Sequence, residues 1–472
     1  MRLSEKMENN SVIGVIRKFL MSKTFMIIQC LIGAVFVVLR GKNDITMLVY
    51  GDIVIAVILS IILIFCDDIM TTTLPFMLIC TISIKCFDSY DYFIKCVPLA
   101  PVFIFALIFH FVVYRRKIVP GKTWPGALAV AVAVTLGGIG KISAAEYFSG
   151  TAVYHTLGLG FGLLLCYFLM NTHFVFDERY DMRKRFSFIM TLVGAFCIFM
   201  IVHHYILFLP NFLEKMSPIY FQWRNNVSTI LLLTIPFGFY LSSYKYPFIF
   251  ISAIEYTGIL FSGSRGGVIA GTIEFLMCLI VLVYCDVKNR KKTLIIIASS
   301  VFVALTFFMK PLLHFFEPLL MRFMNGDDIR EGLIERSIQD FKSNPLFGRG
   351  LGYNGNQDIH STPKFAICWY HSSVFQVIGS FGCLGIIAYV FQLYNRLTTV
   401  FKRITQFNLT LFVGYAGLFL MSLVNPGEFC PMPYGLMATL FFILCDKNNI
   451  ADINSRQASI IPQPINEVEE HG

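Results

Sequence analysis

Apolar residues fall along this chain in long, nearly unbroken runs, not at the spaced positions of an amphipathic helix or strand. The runs cover 25–39, 47–66, 69–84, 97–113, 126–139, 151–170, 186–209, 227–241, 247–261, 268–285, 294–309, 372–394, 409–424 and 435–445. A helix needs about 20 apolar residues to cross a bilayer, and most of these runs reach much or all of that length. Lipid cannot satisfy unpaired backbone groups, whereas a helix satisfies its own, so the runs predict helices. The expected fold is all-α: a polytopic integral membrane protein with about 14 transmembrane helices. One long extracytoplasmic loop, 310–370, interrupts the series within a membrane domain of residues 1–446. The polar, proline-containing stretch 447–472 is expected to be a disordered cytoplasmic tail. No internal repeat is evident.

Composition points the same way. A mean hydropathy of +0.69 and a charged fraction of only 14% exclude an ordinary soluble domain. The net charge of +9 invites a nucleic-acid partner, but its distribution argues otherwise. Lys and Arg gather in alternate loops: Arg17, Lys18 and Lys23; Arg115, Arg116 and Lys117; Arg183, Lys184 and Arg185; Lys288, Arg290, Lys291 and Lys292; Arg396, Lys402 and Arg403. That is the positive-inside pattern, so these loops and both termini are expected to face the cytoplasm, and the helix number is even. The basic start leads into a run without a small-residue cleavage site, so the first helix is expected to be retained. The thirteen cysteines lie mostly inside the apolar runs, as small hydrophobes. Cys368 and Cys430 fall in outward loops, but no C-x-x-C or metal-ligand spacing occurs, and a disulfide between them is not expected.

This topology places four polar segments on the outer face. The first, 210–226, ends in Phe221-Gln222-Trp223-Arg224-Asn225-Asn226. The second is the short turn Ser262-Gly263-Ser264-Arg265-Gly266-Gly267. The third is the long loop, with a helix expected over 328–343 and then Asn344-Pro345-Leu346-Phe347-Gly348-Arg349-Gly350-Leu351-Gly352-Tyr353. It closes on His371-Ser372, followed after nine residues by Gly382 and Gly385. The fourth is Asn425-Pro426-Gly427-Glu428-Phe429.

In order and spacing, these motifs resemble the O-antigen ligase and polysaccharide polymerase superfamily of bacterial membrane glycosyltransferases. The resemblance rests on the segment around Arg224, the turn at Arg265, Arg330 some fifteen residues before Pro345, the glycine run ending at Gly352, and the histidine motif H-[NSQ]-x9-G-x-x-[GTV] at His371. It covers roughly residues 210–390. It departs from the pattern at Ile334, where a tryptophan or similar bulky residue is usual, and at Arg349, where a small or apolar residue is usual. The resemblance implies transfer of an undecaprenyl-diphosphate-linked oligosaccharide to an acceptor hydroxyl at the outer face of a bacterial cytoplasmic membrane. It implies His371 as catalytic base, with Arg224, Arg265 and Arg330 binding the diphosphate. Trp223, Ser264, Gly350, Gly352 and Ser372 support them, and 310–370 becomes the catalytic loop. Other polysaccharide-assembly membrane proteins are implied as partners alongside the lipid bilayer.

The residue types suit that chemistry independently. Arginine offers a rigid fork of donors and keeps its charge, so it matches diphosphate oxygens. The competing reading of Arg265 is an interfacial arginine that snorkels, or that pairs with Glu255 or Glu274. Arg224 has the same two readings, and Arg336 belongs to the exposed face of the expected 328–343 helix. A neutral imidazole near its ordinary pKa can take the proton an attacking hydroxyl must lose, while the competing role for His371 is to cap or pack at a helix start. His203 and His204 are expected to pack. The glycine run follows no strand, so it reads as a flexible turn and not a nucleotide loop. Asp327, Asp328 and Glu428 are the acids nearest to a cation site, yet arginine and imidazole suffice, so neither metal nor other cofactor is expected. A ligase differs from a polymerase only in its acceptor. A lipid-linked oligosaccharide flippase is the alternative of a different class, disfavoured because the polar residues gather in the loops of one face and not at mid-membrane.

Overall fold

The computed structural model describes residues 7, 10–40, 45–67, 75, 98, 100–114, 118, 120–138, 150–173, 181–208, 221–286, 290–303, 306–307, 309–324, 328–351, 370–429 and 431–460. Among them every regular element is a helix. The order is α1 (Ser11–Leu20), α2 (Lys23–Arg40), α3 (Ile45–Phe65), α4 (Ala100–Tyr114), α5 (Trp124–Gly138), α6 (Gly150–Leu157) and α7 (Leu163–His173). Then come α8 (Met182–Phe208), α9 (Phe221–Ser242), α10 (Phe248–Ser262), α11 (Arg265–Cys285), α12 (Arg290–Val303), α13 (Met309–Phe315) and α14 (Glu317–Met324). The chain closes with α15 (Asp328–Ser343), α16 (Ser373–Phe401), α17 (Gln406–Ser422) and α18 (Leu436–Ile460). The helix expected over 328–343 is present as α15.

Four helical stretches are long and apolar enough to cross a membrane: His155–His173, Met182–Leu207, Arg265–Cys285 and Ser373–Phe401. The pair α1 and α2, bent by 57°, would add a fifth, and five further apolar helices are shorter. The structure thus supports four or five full-length spans among the described residues. The run 69–84 lies almost wholly outside them, as does most of the loop between 352 and 369.

The helices are apolar on the outside. On α11, Ile269, Ile273, Leu276, Ile280 and Tyr284 are exposed, Ile280 to 67%, while Gly267, Ala270, Gly271 and Glu274 are buried. On α16, Ile387, Val390 and Tyr394 face out, while Gln376, Ser380, Gly385 and Arg396 face in. Small and polar residues between helices with branched apolar ones outside is the arrangement lipid favours, because there the exposed face needs no polar cover. The centre of the bundle is α9, which packs on α8, α10, α11 and α17 and is buried around its whole circumference from Val227 to Leu241.

Asparagines close one end of this bundle. Asn448 donates to Thr405 Oγ1 at 3.0 Å and to Asn408 Oδ1 at 2.9 Å, and Arg183 Nε donates to Asn448 Oδ1 at 2.6 Å. Asn408 donates to Asn449 Oδ1 at 2.8 Å, and Asn449 to the Thr399 carbonyl at 2.8 Å. These bonds hold Asn448 and Asn449 in the interior, and the Lys122 N–H, donating to Asp446 Oδ2 at 3.0 Å, holds Asp446, all three at most 4% exposed. The disordered tail expected from 447 therefore does not begin there. The helix runs on to Ile460, with Asn448 and Asn449 bonded to residues of α8, α16 and α17; residues 461–472 lie outside the described set.

One helix is broken. In α16, Gly382 has φ 60° and ψ −153°, which opens the helical ladder. The segment 345–351 fills the break with main-chain bonds. Arg349 N–H donates to the Gly379 carbonyl at 2.8 Å and Gly350 N–H to that of Ser380 at 3.0 Å. Cys383 N–H donates to the Pro345 carbonyl at 2.8 Å and Leu384 N–H to that of Leu346 at 3.2 Å, while Leu351 N–H reaches Gly138 on α5 at 2.7 Å. Both backbones must approach closely. A Cβ at Gly382 would stand 2.6 Å from the Pro345 carbonyl oxygen, and Gly348, at φ +68°, faces the backbone of Ser380 and Phe381. Gly348→Ala and Gly382→Ala should each cost about 1–3 kcal/mol from the disfavoured φ alone, and more from the clash. Thermal unfolding in detergent should show both far less stable than Gly14→Ala, where a Cβ meets nothing within 4 Å.

Candidate functional site

His371 is the one non-glycine residue with positive φ among the described residues, at φ 51°. A left-handed backbone is uncommon outside glycine, though histidine tolerates it better than most, and it persists only where neighbours hold it. The holding groups are visible. Tyr370, buried, donates its N–H to Gln376 Oε1 at 3.1 Å and its hydroxyl to Asp340 Oδ2 at 2.6 Å. Asp340 lies on α15 with a 3% exposed side chain, and its other oxygen faces Arg349 Nε at 3.3 Å. Arg349 Nε also donates to Ser343 Oγ at 3.0 Å, and Ser337 Oγ to the Phe375 carbonyl at 2.7 Å. Gln376 Nε2 continues to Ser380 Oγ at 3.0 Å. α15 is thus fastened to the start of α16 on both sides of the histidine. Arg349, the departure from the glycine-run pattern, is what balances Asp340.

Ser372 is the N-cap of α16 by backbone, buried, and its carbonyl accepts the Gln376 N–H at 2.8 Å; its side chain makes no cap bond. One residue on, Ser373 Oγ donates to the Pro426 carbonyl at 3.2 Å. The neighbouring Asn425 Oδ1 accepts from Asn225 Nδ2 at 3.1 Å, and Asn225 Oδ1 accepts from Ser264 Oγ at 2.7 Å. Ser264 is the N-cap of α11, taking the Gly267 N–H at 3.2 Å, so Arg265 is the first residue of that helix. Arg224 is the fourth residue of α9, one before Asn225, half-buried, and its carbonyl accepts from Ser228 Oγ at 2.7 Å. Ser228 meets Ser262 Oγ at 2.7 Å, closing the turn from below. Asn225, beside Arg224, therefore bonds both to Ser264, beside Arg265, and to Asn425, and the Asn425–Pro426 peptide joins this network to Ser373, the second residue after His371.

The other predicted residues fall as follows. Gly350 is buried in the helix break; Gly352 lies outside the described residues. Arg330 is in the first turn of α15 and Trp223 in that of α9, both with side chains outside the description. Arg336 is half-buried, not on an open face. Glu255 and Glu274 do not neutralise Arg265: neither oxygen of Glu274 nor Oε1 of Glu255 has a hydrogen-bond partner. His203 packs against Phe199 with ring centroids 6.0 Å apart. Cys368 and Cys430 lie outside the described residues.

Glu428 is committed elsewhere. Arg396 NH1 lies 3.0 and 2.9 Å from its two oxygens and donates to Tyr415 OH at 3.1 Å. Arg396 had been counted with a cytoplasmic loop and Glu428 with an outward one. Instead α16 extends to Phe401, which puts Arg396 inside the helix, and after α17 the chain turns back into the bundle through Gly427–Phe429 and Pro431–Gly435. A buried charge demands a partner, and this turn supplies it. The pair borders a small cavity of about 30 Å³ between α5, the π-helical turn Gly158–Gly162, α7, α16 and α18.

Sequence reasoning missed Asp340, Tyr370, Asn225 and Asn425 as organisers of the site. The asparagines stood in motifs already noted, next to the arginine and proline that drew attention. Asp340 carried no signal, because its partner Tyr370 is thirty residues away across the loop. Known protein families, characterised proteins and solved structures give no match to the chain.

Tyr370→Phe removes the donor to a buried carboxylate and should destabilise by about 1–3 kcal/mol. Asp340→Ala removes the acceptor and the partner of Arg349. If the two residues act as one clamp, the double variant should lose less stability than the two single losses combined, by about 0.5–3 kcal/mol in thermal unfolding. Additive losses would mean that Tyr370 and Asp340 are energetically separate.

Proposed function

We propose that the chain is a membrane glycosyltransferase that polymerises undecaprenyl-diphosphate-linked repeat units of a capsule, exopolysaccharide or O-antigen. Transfer of a finished glycan to a lipid or protein acceptor, the ligase reaction, uses the same site. The observation that supports it is the network linking the helix starts at Arg224, Arg265 and His371. Two arginines at helix N-termini, where backbone N–H groups also face outward, make a cradle for an anionic diphosphate. The acceptor oxygen attacks the anomeric carbon, the bond from that carbon to the diphosphate oxygen breaks, and undecaprenyl diphosphate leaves with the electron pair. His371 takes the hydroxyl proton, and the Tyr370–Asp340 clamp holds its backbone for that task. On this reading the chain has about fourteen spans, both termini in the cytoplasm and the site on the outer face of the cytoplasmic membrane.

A flippase for the same lipid-linked oligosaccharide is the second reading. The helix interruption at Gly160, where φ is −90° and ψ −108°, and the turn carrying Glu428 into the bundle are features transporters use to line a path. The two readings separate by where the donor stalls.

His371→Ala should abolish long glycan chains with protein level and insertion unchanged, since a general base contributes about 100- to 10,000-fold. Lipid-linked donor should then accumulate at the outer face; accumulation inside would favour the flippase. Arg265→Lys keeps charge but loses the fork, so it too should lose most activity. Unchanged chain lengths in the His371 variant would remove the catalytic role.

The orientation has its own check. A phosphatase reporter fused at Asn356 should be active and one at Lys291 silent; the reverse would place the site in the cytoplasm and exclude the proposed donor.

A further inference from the structure

Two carboxyls sit deep in the bundle with nothing to answer them. Glu255 on α10 and Glu274 on α11 are both 0% exposed. Both oxygens of Glu274 and Oε1 of Glu255 have no hydrogen-bond partner. Glu255 Oε2 accepts from Thr234 Oγ1 at 3.2 Å, but that hydroxyl is also 3.0 Å from the Leu231 carbonyl and carries a single proton. The carboxyls are within electrostatic reach of each other and of the Cys278 thiol. Among the described residues no lysine, arginine or histidine acts on either of them.

The surrounding backbone makes room for the two acids. Gly194 of α8 stands against the Glu255 carboxyl, and on α17 a Cβ at Gly417 would lie 2.6 Å from Glu274 Cδ and 2.7 Å from each of its oxygens. Two bare carboxylates cannot persist there, because burial of each and repulsion between them both oppose ionisation. Neutralising them would fall to a small cation, and the carboxyl and hydroxyl groups that could hold one are all oxygen, which suits a hard ion.

We propose that Glu255 and Glu274, with Thr234 between α9 and α10, form an intramembrane site for a small monovalent cation, either a proton or sodium. The site is separate from the His371 end of the bundle and does not rest on the glycosyl-transfer reading.

Dicyclohexylcarbodiimide reacts with protonated carboxyls in apolar surroundings, and peptide mass mapping reports where. The full chain in detergent should be labelled at Glu255 or Glu274, with labelling lost as the pH rises. E274Q should shift the pH profile of the remaining Glu255, because its like-charged neighbour is gone. Sodium chloride, but not choline chloride, should protect if sodium is the occupant; equal labelling in both salts assigns the proton. Glutamine is nearly isosteric, and should a variant fail to fold, the pH and sodium dependence of the wild type still decides. The proposal falls if Glu255 labels identically with and without E274Q. It also falls if neither carboxyl labels and infrared spectra of E255Q/E274Q lose no protonated-carboxyl band relative to wild type.

Discussion

Backbone hydrogen bonding across the break in α16 is the interaction on which the polar half of this structure depends. A helix that opens among apolar neighbours exposes carbonyls and N–H groups that only protein can satisfy. Here the segment after α15 satisfies them, which fixes that segment on the bundle and brings α15 beside the start of α16. Asp340 then reaches Tyr370, and the left-handed backbone of His371 follows. Three glycines with positive φ permit the approach, Gly348 and Gly350 on one partner and Gly382 on the other, so the first two glycines of the run are docked on the bundle where composition suggests a flexible turn.

The same constraint accounts for the charges. Arg396 and Glu428 come from parts of the chain that a count of loop charges assigns to opposite sides, yet they meet because neither tolerates burial alone. The buried carboxyls of Glu255 and Glu274 have no such basic partner, which sets them apart from Asp340 and Glu428, each of which meets an arginine.

How legible was this in the sequence? The all-helical fold was, because an apolar run reports a lipid-facing or buried helix almost directly. The α15 helix was, from its polar periodicity between loop signals. Helix ends were less so: Asn448 and Asn449 read as tail, since nothing local shows that Asn408, forty residues away, will bond to them. For the site, the residues with a chemical signature were visible, namely Arg224, Arg265 and His371. Those that organise it were not, because Asn225, Asp340 and Asn425 act through partners distant in sequence. Glu255 and Glu274 were noticed only as partners for Arg265, a role that the structure gives to neither.

The break at Gly382 also turns the spacing of the histidine motif into a ruler. Between His371 and Gly382 the chain is one short helical segment, anchored at the far end by the docked strand of backbone and at the near end by Tyr370. Each residue added or removed there would turn the near end by roughly 100° about the helix axis and slide it by about 1.5 Å. Tyr370 would then swing away from Asp340 even with every side chain intact. The number of residues in that interval is therefore set by angle, while Ser373, Gln376 and Ser380 within it are set by the partners they bond.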